Sequence, residues 1–547
     1  MNKKIWLLPL LVFLFSCSSV PNVSVPVDYS QEDVLLNEIS EIKKILEINP
    51  IKAIWRTKLI ANYDNIAQNL RQNVLDLLNE CVQILSVSFN ESITEKNYIA
   101  AQRVLKTLQA VDCYFPEQLN LSSEELHNLI LSSFSVEEKK QDAASPVSSF
   151  IEGTITIWVD QGIHVSKGVG YASHVIGSGF FINNDGYAVT NYHVIQSEVD
   201  PEYEGYSRLY VKLASDSDTR IPAKVIGWDA ALDLALLKVE IDSPFAFSLG
   251  ESKDLDIGDK IYAIGSPAGL ERTLTSGIVS ATDRDLFSIG KVMQIDAAIN
   301  SGNSGGPIID SEGSVQAIAF AGMLEYEGLN FAIPVEYLKA NLPFLFAGGE
   351  RLHGWIEAFG KEVKANEFTG QPAGLQVQYV IPGGTASRSG IVVNDVILSL
   401  DGYAISDLAS FHNAMLYVLP ETVVSIELWN PDGTTRFVPV YVEQRPENPG
   451  YQVYNSDIIA KSFLPIFGMS LESLSSSGKK YRVSSVLKGS TADESGFSEF
   501  DPVEIIKIRF SPDNDVIYAQ IYTKKRKNGY FEVDIMIATS LDSPYYF

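Results

Sequence analysis

The chain has 547 residues, with 42 Lys plus Arg against 68 Asp plus Glu and a net charge of −26. That length exceeds one hydrophobic core and predicts about three or four domains, while the acidic balance argues against nucleic acid or an anionic lipid surface as a partner. No metal-ligand spacing, phosphate-binding glycine loop or apolar run of transmembrane length after the first residues occurs, so no metal and no cofactor are expected.

Residues 1–16 read as a signal peptide, because Asn2-Lys-Lys4 supplies a positive start and Ile5 to Phe15 an apolar run too short to span comfortably. Leu14-Phe-Ser-Cys17 resembles a bacterial lipoprotein cleavage box, which implies that Cys17 takes a lipid and becomes the mature N-terminus. Phe15 departs from the small residue usual there, and the alternative is a secreted protein with an incidental cysteine. Residues 17–30, polar and proline-bearing, suit a lipidated tether.

From 31 to 136 the pattern is helical. Leu35, Ile39, Ile42 and Leu46 recur at helical spacing, Pro50 interrupts them, and Tyr98, Ala101, Leu105 and Leu108 resume it. Ser122-Ser-Glu-Glu125 has the form of a capping box. The region reads as a stalk or as a partner-docking repeat, with no repeat consensus to choose between them. A hairpin turn near 89–94 would set Cys81 opposite roughly residue 100 and leave Cys113 about 20 Å away at about 1.5 Å per residue, so two buried free thiols are expected. Residues 137–149, charged and then small with a proline, form a linker.

Between 150 and 345, short β-branched and aromatic runs alternate with glycine turns. Gly302-Asn-Ser-Gly-Gly-Pro307 frames Ser304 with glycines, so that the N–H groups of Gly302 and Ser304, on either side of Asn303, can converge on one oxyanion. A serine hydroxyl needs a base, and the base needs a carboxylate. His193 follows a strand, an Asp185-Gly186 turn and a second strand that is expected to end at the histidine. His127, His164, His174, His353 and His412 lie in a helical stretch, in loops or in the C-terminal third, and are expected to be solvated or hydrogen-bonded. For the acid, Asp233 abuts the strand-like Leu234-Ala-Leu-Leu237 and would be partly buried, whereas Asp229 reads as a turn acceptor.

The order His193, Asp233, Ser304 matches the trypsin-fold order. Thr190-Asn-Tyr-His-Val-Ile195, Asp233-Leu-Ala-Leu-Leu237, Thr275-Ser-Gly-Ile-Val-Ser-Ala281, Asp296-Ala-Ala-Ile-Asn-Ser-Gly-Asn-Ser-Gly-Gly-Pro307 and Asn330-Phe-Ala-Ile-Pro334 resemble the HtrA (high-temperature-requirement) serine proteases. The resemblance implies a double six-stranded β-barrel with the triad in the cleft, and an ATP-independent endopeptidase acting on unfolded proteins. It also implies a homo-oligomer, by family habit a trimer. Trypsin-like zymogens carry an aspartate at the place of Asn303, and asparagine cannot pair with a freed N-terminal amine, so activation by N-terminal cleavage is not expected. By the same resemblance Ala298 floors the specificity pocket, Ile299 adjoins it, and Ile318, Ala319 and Phe320 begin its wall. Small or medium aliphatic residues before the scissile bond are then expected.

Thr385-Ala-Ser-Arg-Ser-Gly-Ile-Val-Val-Asn-Asp395 recurs as Thr491-Ala-Asp-Glu-Ser-Gly-Phe-Ser-Glu-Phe-Asp501. Each copy lies between two strand-like runs and resembles PDZ domains, at 350–445 and, in atypical form, at 460–547. In that family a peptide C-terminus adds as a strand beside a helix. Glu357 stands in place of a usual glycine in the first copy and would repel a carboxylate, whereas Leu464-Pro-Ile-Phe-Gly-Met469 of the second is closer to the pattern. The second lacks a counterpart of the helix expected over 407–418. The expected protein is thus an N-terminal all-α region, a trypsin-like protease and two C-terminal PDZ-like α+β domains, lipid-anchored in the bacterial envelope and facing the periplasm. The competing class is a chaperone or scaffold whose protease is latent.

Overall fold

A computed structural model describes residues 28–114, 119, 121–133, 147–166, 168–203, 207–216, 218–266, 273–284, 286, 288–300, 302–322, 329–474, 479–526 and 530–547. Cys17, the signal peptide, nearly all of the tether and most of the 137–149 linker lie outside them.

The N-terminal region consists of α1 (Glu32–Leu46), α2 (Pro50–Ala61), α3 (Arg71–Thr94), α4 (Tyr98–Ala110) and α5 (Ser123–Ser133). The 3.6-residue period works here as expected: Leu35, Ile39, Ile42 and Leu46 are all buried. Pro50 opens α2, at a position where its missing N–H costs nothing, and the Asn49 side chain caps that helix by accepting from Lys52 N at 2.8 Å. Ser122 and Glu125 exchange backbone and side-chain bonds at 2.8 and 3.2 Å, a formed capping box. The hairpin turn falls later than expected, because α3 continues through buried Phe89 and Ser92 and the chain reverses at residues 95–97, with Lys96 at φ +62°. Cys81 and Val111 are then equidistant from Lys96, which brings Cys113 alongside Cys81 instead of about 20 Å away. Both remain free, buried thiols.

This helical core is no free stalk. It closes over Val423 and Tyr441 of the first PDZ-like sheet. Trp55, fully buried, packs on Tyr441 with ring centroids 5.6 Å apart and donates its indole N–H to Pro439 O at 3.0 Å. Burying such a ring against another is worth about 0.5–1.5 kcal/mol beyond area alone.

After α6 (Val147–Gly153) come the strands β1 (Thr154–Ser166), β2 (Val169–Phe181) and β3 (Tyr187–Thr190), then α7 (Tyr192–Val199), then β4 (Arg208–Lys212), β5 (Ile221–Asp229) and β6 (Leu234–Val239). They pair in the order β5-β4-β1-β2-β3-β6, and β5 pairs β6 to close a six-stranded barrel. β7 (Lys260–Gly265), β8 (Thr273–Arg284), β9 (Val292–Ile295), β10 (Pro307–Ile309), β11 (Val315–Gly322) and β12 (Asn330–Pro334) form a second closed barrel. Closure joins the terminal strands of each barrel, and β1 and β2 run on as a hairpin past their other neighbours. α8 (Val335–Ala347) packs back on β5, and β13 (Gly349–Glu350) adds to β5 in parallel.

The connection to the next unit is tied down by Arg351. Buried to 4% exposure, its guanidinium donates to the carbonyls of Leu352, Leu416 and Val418 at 2.7 to 3.1 Å. A buried cation needs such partners.

β14 (Gly354–Trp355), β15 (Ala358–Val363), β16 (Gly374–Val380), α9 (Thr385–Arg388), β17 (Val396–Leu400), β18 (Tyr403–Ala404), α10 (Leu408–Met415), β19 (Thr422–Trp429) and β20 (Thr435–Gln444) build the first PDZ-like unit. α11 (Pro449–Ser456), α12 (Ile459–Phe467), β21 (Met469–Ser473), β22 (Lys480–Val486), α13 (Thr491–Glu494), β23 (Pro502–Phe510), β24 (Val516–Arg526) and β25 (Tyr530–Ser540) build the second. The sequence repeat is a repeat of hydrogen bonds. Ile391 N donates to Ala386 O and Phe497 N to Ala492 O, at 3.0 and 2.9 Å, while Val377 N meets Asp395 O and Val483 N meets Asp501 O, both at 2.9 Å. Gly390 and Gly496 share φ +80°, ending α9 and α13 alike. Among the described residues the second unit passes from β23 to β24 without a helix, as its sequence implied.

Burial pushes the Cys81 thiol up to about 12. At pH 8 only about one molecule in ten thousand would carry the thiolate. Iodoacetamide at pH 8 should leave Cys81 unmodified in the native protein and modify it fully in guanidinium, with peptide mass spectrometry locating the label; rapid native labelling would contradict the burial.

Candidate active site

Residues 230–233 turn the chain from β5 into β6, and the turn leaves Asp233 at φ +54°, a left-handed conformation that aspartate tolerates better than most residues. That turn aims its carboxylate at the start of α7. The strand before the histidine ends at Thr190, so His193 sits in the first turn of a helix and not on a strand end as expected. The reason is local: first-turn N–H groups have no helical acceptor, and Asp233 supplies one. Asp233 Oδ1 accepts the backbone N–H of His193 and Oδ2 contacts Nδ1, both at 2.7 Å. Asn191 Nδ2 donates to Asp233 O at 2.9 Å and fixes the turn from behind. The Asp233 side chain is 9% exposed and that of His193 44%, so the carboxylate is desolvated while the imidazole faces the cleft. With Nδ1 turned to Asp233, the other ring nitrogen is left for proton transfer.

Ser304 comes from the second barrel, on the turn that leads into β10. Asn303 N donates to Asn300 O at 2.9 Å, and Gly302, third in that turn, has φ +103°, the sign a type II turn requires there. Ser178 of β2, fully buried, holds this turn from the first barrel. Its Oγ donates to Gly302 O at 2.6 Å and its N–H to Ser304 O at 2.8 Å. Gly305 lies so close beneath that a Cβ would stand 2.3 Å from Ser178 O and from Thr190 Oγ1. Ser304 Oγ donates to Phe320 O at 3.2 Å, and the Phe320 ring meets the His193 ring edge-on with centroids 6.5 Å apart. Phe320 is the extra residue of a β-bulge in the β11–β12 ladder, which turns its carbonyl out of the sheet.

His193, Asp233 and Ser304 are thus gathered at the junction of the barrels. Gly302 and Asn303 stand beside them, and Asn303 Oδ1 is buried with no hydrogen-bond partner among the described residues. The expected pocket lining is narrower than the sequence suggested. Ile299, Ile318 and Ala319 are 7% exposed or less: Ile299 and Ala319 pack in the core of the second barrel, and Ile318, on the opposite face of β11, packs in the apolar cluster shared by the two barrels and α8. Exposed Ala298 and part-exposed Phe320 remain. Ser178, Asn191 and the Phe320 carbonyl escaped sequence reasoning, although Gly177-Ser-Gly179 marks a strand that another backbone approaches closely. Asp229 accepts Leu232 N at 3.0 Å, as a turn acceptor should, and also pairs with His353 Nε2 at 2.9 Å, joining the barrel to the connector beyond α8. His412 is buried and bonded to Pro544 O at 3.0 Å, and His174 stacks on Trp158.

Residues 177–318 match the family model described as a trypsin-like peptidase domain, 450–541 that of the TP0546 family PDZ domain, and 33–130 that of a domain of unknown function (DUF8517). A probable periplasmic serine endoprotease, DegP-like, of Pseudomonas fulva (strain 12-X) is 36% identical over 289 residues, 51% of this chain and 58% of the relative. A protein of the same description from Chlamydia trachomatis serovar D is 32% identical over 286 residues, 50% of this chain and 55% of the relative. The chain therefore spans somewhat more than half the length of the curated relatives it matches. Among solved structures, an HtrA-type protease AlgW with tripeptide aligns at 29% identity over 56% of this chain and 98% of its own, with a TM-score of 0.47.

The two His–Asp pairs predict opposite phenotypes. Asp233→Asn should keep the fold and lower reaction of Ser304 with a fluorophosphonate by about 10⁴-fold, the loss expected from a wrong imidazole tautomer. Asp229→Asn should lower the melting temperature and leave that rate within about threefold of wild type. Labelling kinetics and circular dichroism on both variants check this.

Proposed function

We propose that the chain is a serine endopeptidase of the bacterial cell envelope, anchored by lipid on Cys17 and facing the periplasm, which degrades or trims unfolded proteins. The observation that carries this reading is the double 2.7 Å engagement of His193 by Asp233 next to a serine on a glycine-framed turn. In this mechanism Ser304 Oγ leaves the Phe320 carbonyl, passes its proton to His193 Nε2 and attacks the scissile carbonyl carbon. Asp233 stabilises the imidazolium, and the N–H groups of Gly302 and Ser304 receive the oxyanion. His193 then protonates the departing amine, and water releases the acyl group by the same route in reverse. The domains doing this are a helical unit at 31–136, a protease at 150–345 and PDZ-like units at 350–445 and 460–547, assembled as a trimer.

Ala298 brings no charge to the pocket, and Phe320 adds an apolar wall, which supports cleavage after small or medium aliphatic residues such as Val or Ala. A scaffold with a latent protease is the second reading, favoured by one observation: Ser304 Oγ is bonded to Phe320 O and not to the imidazole.

Ser304→Ala should lower cleavage of unfolded casein by roughly four to six orders of magnitude. A rate equal to wild type would refute the assignment of Ser304. Absence of fluorophosphonate labelling, both with and without unfolded protein, would favour the scaffold. On a peptide library the wild type should prefer Val or Ala before the cut bond over Lys or Arg.

A further inference from the structure

In the sheet β14-β20-β19-β17-β16-β15 of the first PDZ-like unit, β15 is the last strand, and α10 packs on the same core. An edge strand beside a helix is where an extended peptide can add by main-chain hydrogen bonds. Here the place is filled by the chain itself. Ala358 N donates to Phe547 O and Phe547 N to Ala358 O, both at 3.0 Å, and Gly360 N donates to Tyr545 O at 3.1 Å, in antiparallel register.

The side chains alternate as a strand requires. Phe547, 2% exposed, enters the core of the first unit with its ring centroid 5.1 Å from that of Phe411 on α10. Gly360 adjoins the ring, and a Cβ there would stand 2.9 Å from Phe547 Cζ and 2.1 Å from the backbone oxygen of Gln376. Tyr546, also 2% exposed, points the other way into the second unit's core, where its hydroxyl donates to Pro465 O at 3.0 Å. His412 of α10 bonds through Nε2 to Pro544 O at 3.0 Å and through Nδ1 to the N–H of Gly290 at 3.4 Å, so one ring ties this segment to the β8–β9 loop of the second barrel.

Glu357 does not block the groove. It adopts φ +62°, the backbone of the glycine it replaces, and its carboxylate turns to Thr385 N at 2.6 Å and Gln452 Nε2 at 3.2 Å.

We propose that the resident ligand of this groove is the chain's own 544–547 segment, with Phe547 filling the aromatic pocket, and that an extended peptide carrying a bulky aromatic residue is accepted in trans only when that segment withdraws. A tethered ligand acts at an effective concentration on the order of 1 mM, so a free peptide of about 10 µM intrinsic affinity would lose about a hundredfold in apparent affinity.

Fluorescence anisotropy with labelled Asp-Ser-Pro-Tyr-Tyr-Phe, on the full chain, tests the proposal. Phe547→Ala empties the aromatic pocket and should bind the peptide at least about tenfold more tightly than wild type, whereas Phe547→Leu, which refills it only in part, should fall between Phe547→Ala and wild type. Hydrogen exchange on the wild type should find the Ala358 and Gly360 amides as protected as those inside β19. Equal affinity for wild type and Phe547→Ala would overturn the proposal, as would a folded Phe547→Ala that binds no peptide. Should Phe547→Ala not fold, the wild-type exchange decides: protected amides support cis occupancy, and amides exchanging at loop rates refute it. None of these readouts uses proteolysis, so they stand or fall apart from the role of Ser304.

Discussion

Two closed barrels can share a reactive site only if the backbone polar groups trapped between them are satisfied, and one buried serine does most of this. Ser178 reaches from the first barrel to the Gly302 and Ser304 carbonyls of the second, accepts Ser266 N at 2.9 Å on its own Oγ, and receives Thr190 Oγ1 on its carbonyl at 2.7 Å. Each of these groups would cost about 1–3 kcal/mol if buried unpaired. The network therefore sets where the Ser304 turn lies relative to Thr190 and, three residues on, His193. The Asp233 carboxylate then fixes the imidazole within that frame.

The same requirement governs the rest of the molecule. Buried polar side chains stand at the junctions between domains: Arg351 between α8 and the first PDZ-like unit, His353 and Asp229 between connector and barrel, Trp55 between helices and sheet, and His412 between the second barrel and the 544–547 segment. Apolar packing alone would let such surfaces slide, whereas directional hydrogen bonds in desolvated junctions select one arrangement. The 545–547 segment goes further, because its alternate side chains enter two different cores.

Local signals were legible wherever one segment decides its own structure. The apolar stripe of α1, the Ser122–Glu125 capping box and the paired turns of the PDZ-like repeat follow from spacing and turn chemistry over a few residues. So did the choice of Asp233 over Asp229 as the aspartate that contacts His193, since Asp229 is used by its own turn. Errors arose where distant packing sets the outcome. The α3–α4 turn moved to 95–97 because tertiary contacts keep Phe89 and Ser92 helical, and that shift brought Cys113 to Cys81. Ile299 and Ala319 are buried in the second barrel's core and Ile318 in the cluster shared by the two barrels and α8, which no count from Ser304 could reveal.

By itself, then, the order of residues determined the kinds of elements, the barrel-forming pattern and which three residues, Ser304, His193 and Asp233, are the candidates for nucleophile, base and acid, because each depends on composition and spacing along the chain. The tertiary structure alone decided that Ser178 and Phe320 hold the Ser304 turn and hydroxyl, that the helical region lies on a PDZ-like sheet, and that residues 545–547 fill the edge of β15. Those outcomes rest on burial and on hydrogen bonds between segments up to hundreds of residues apart, which a reading of local pattern cannot pair.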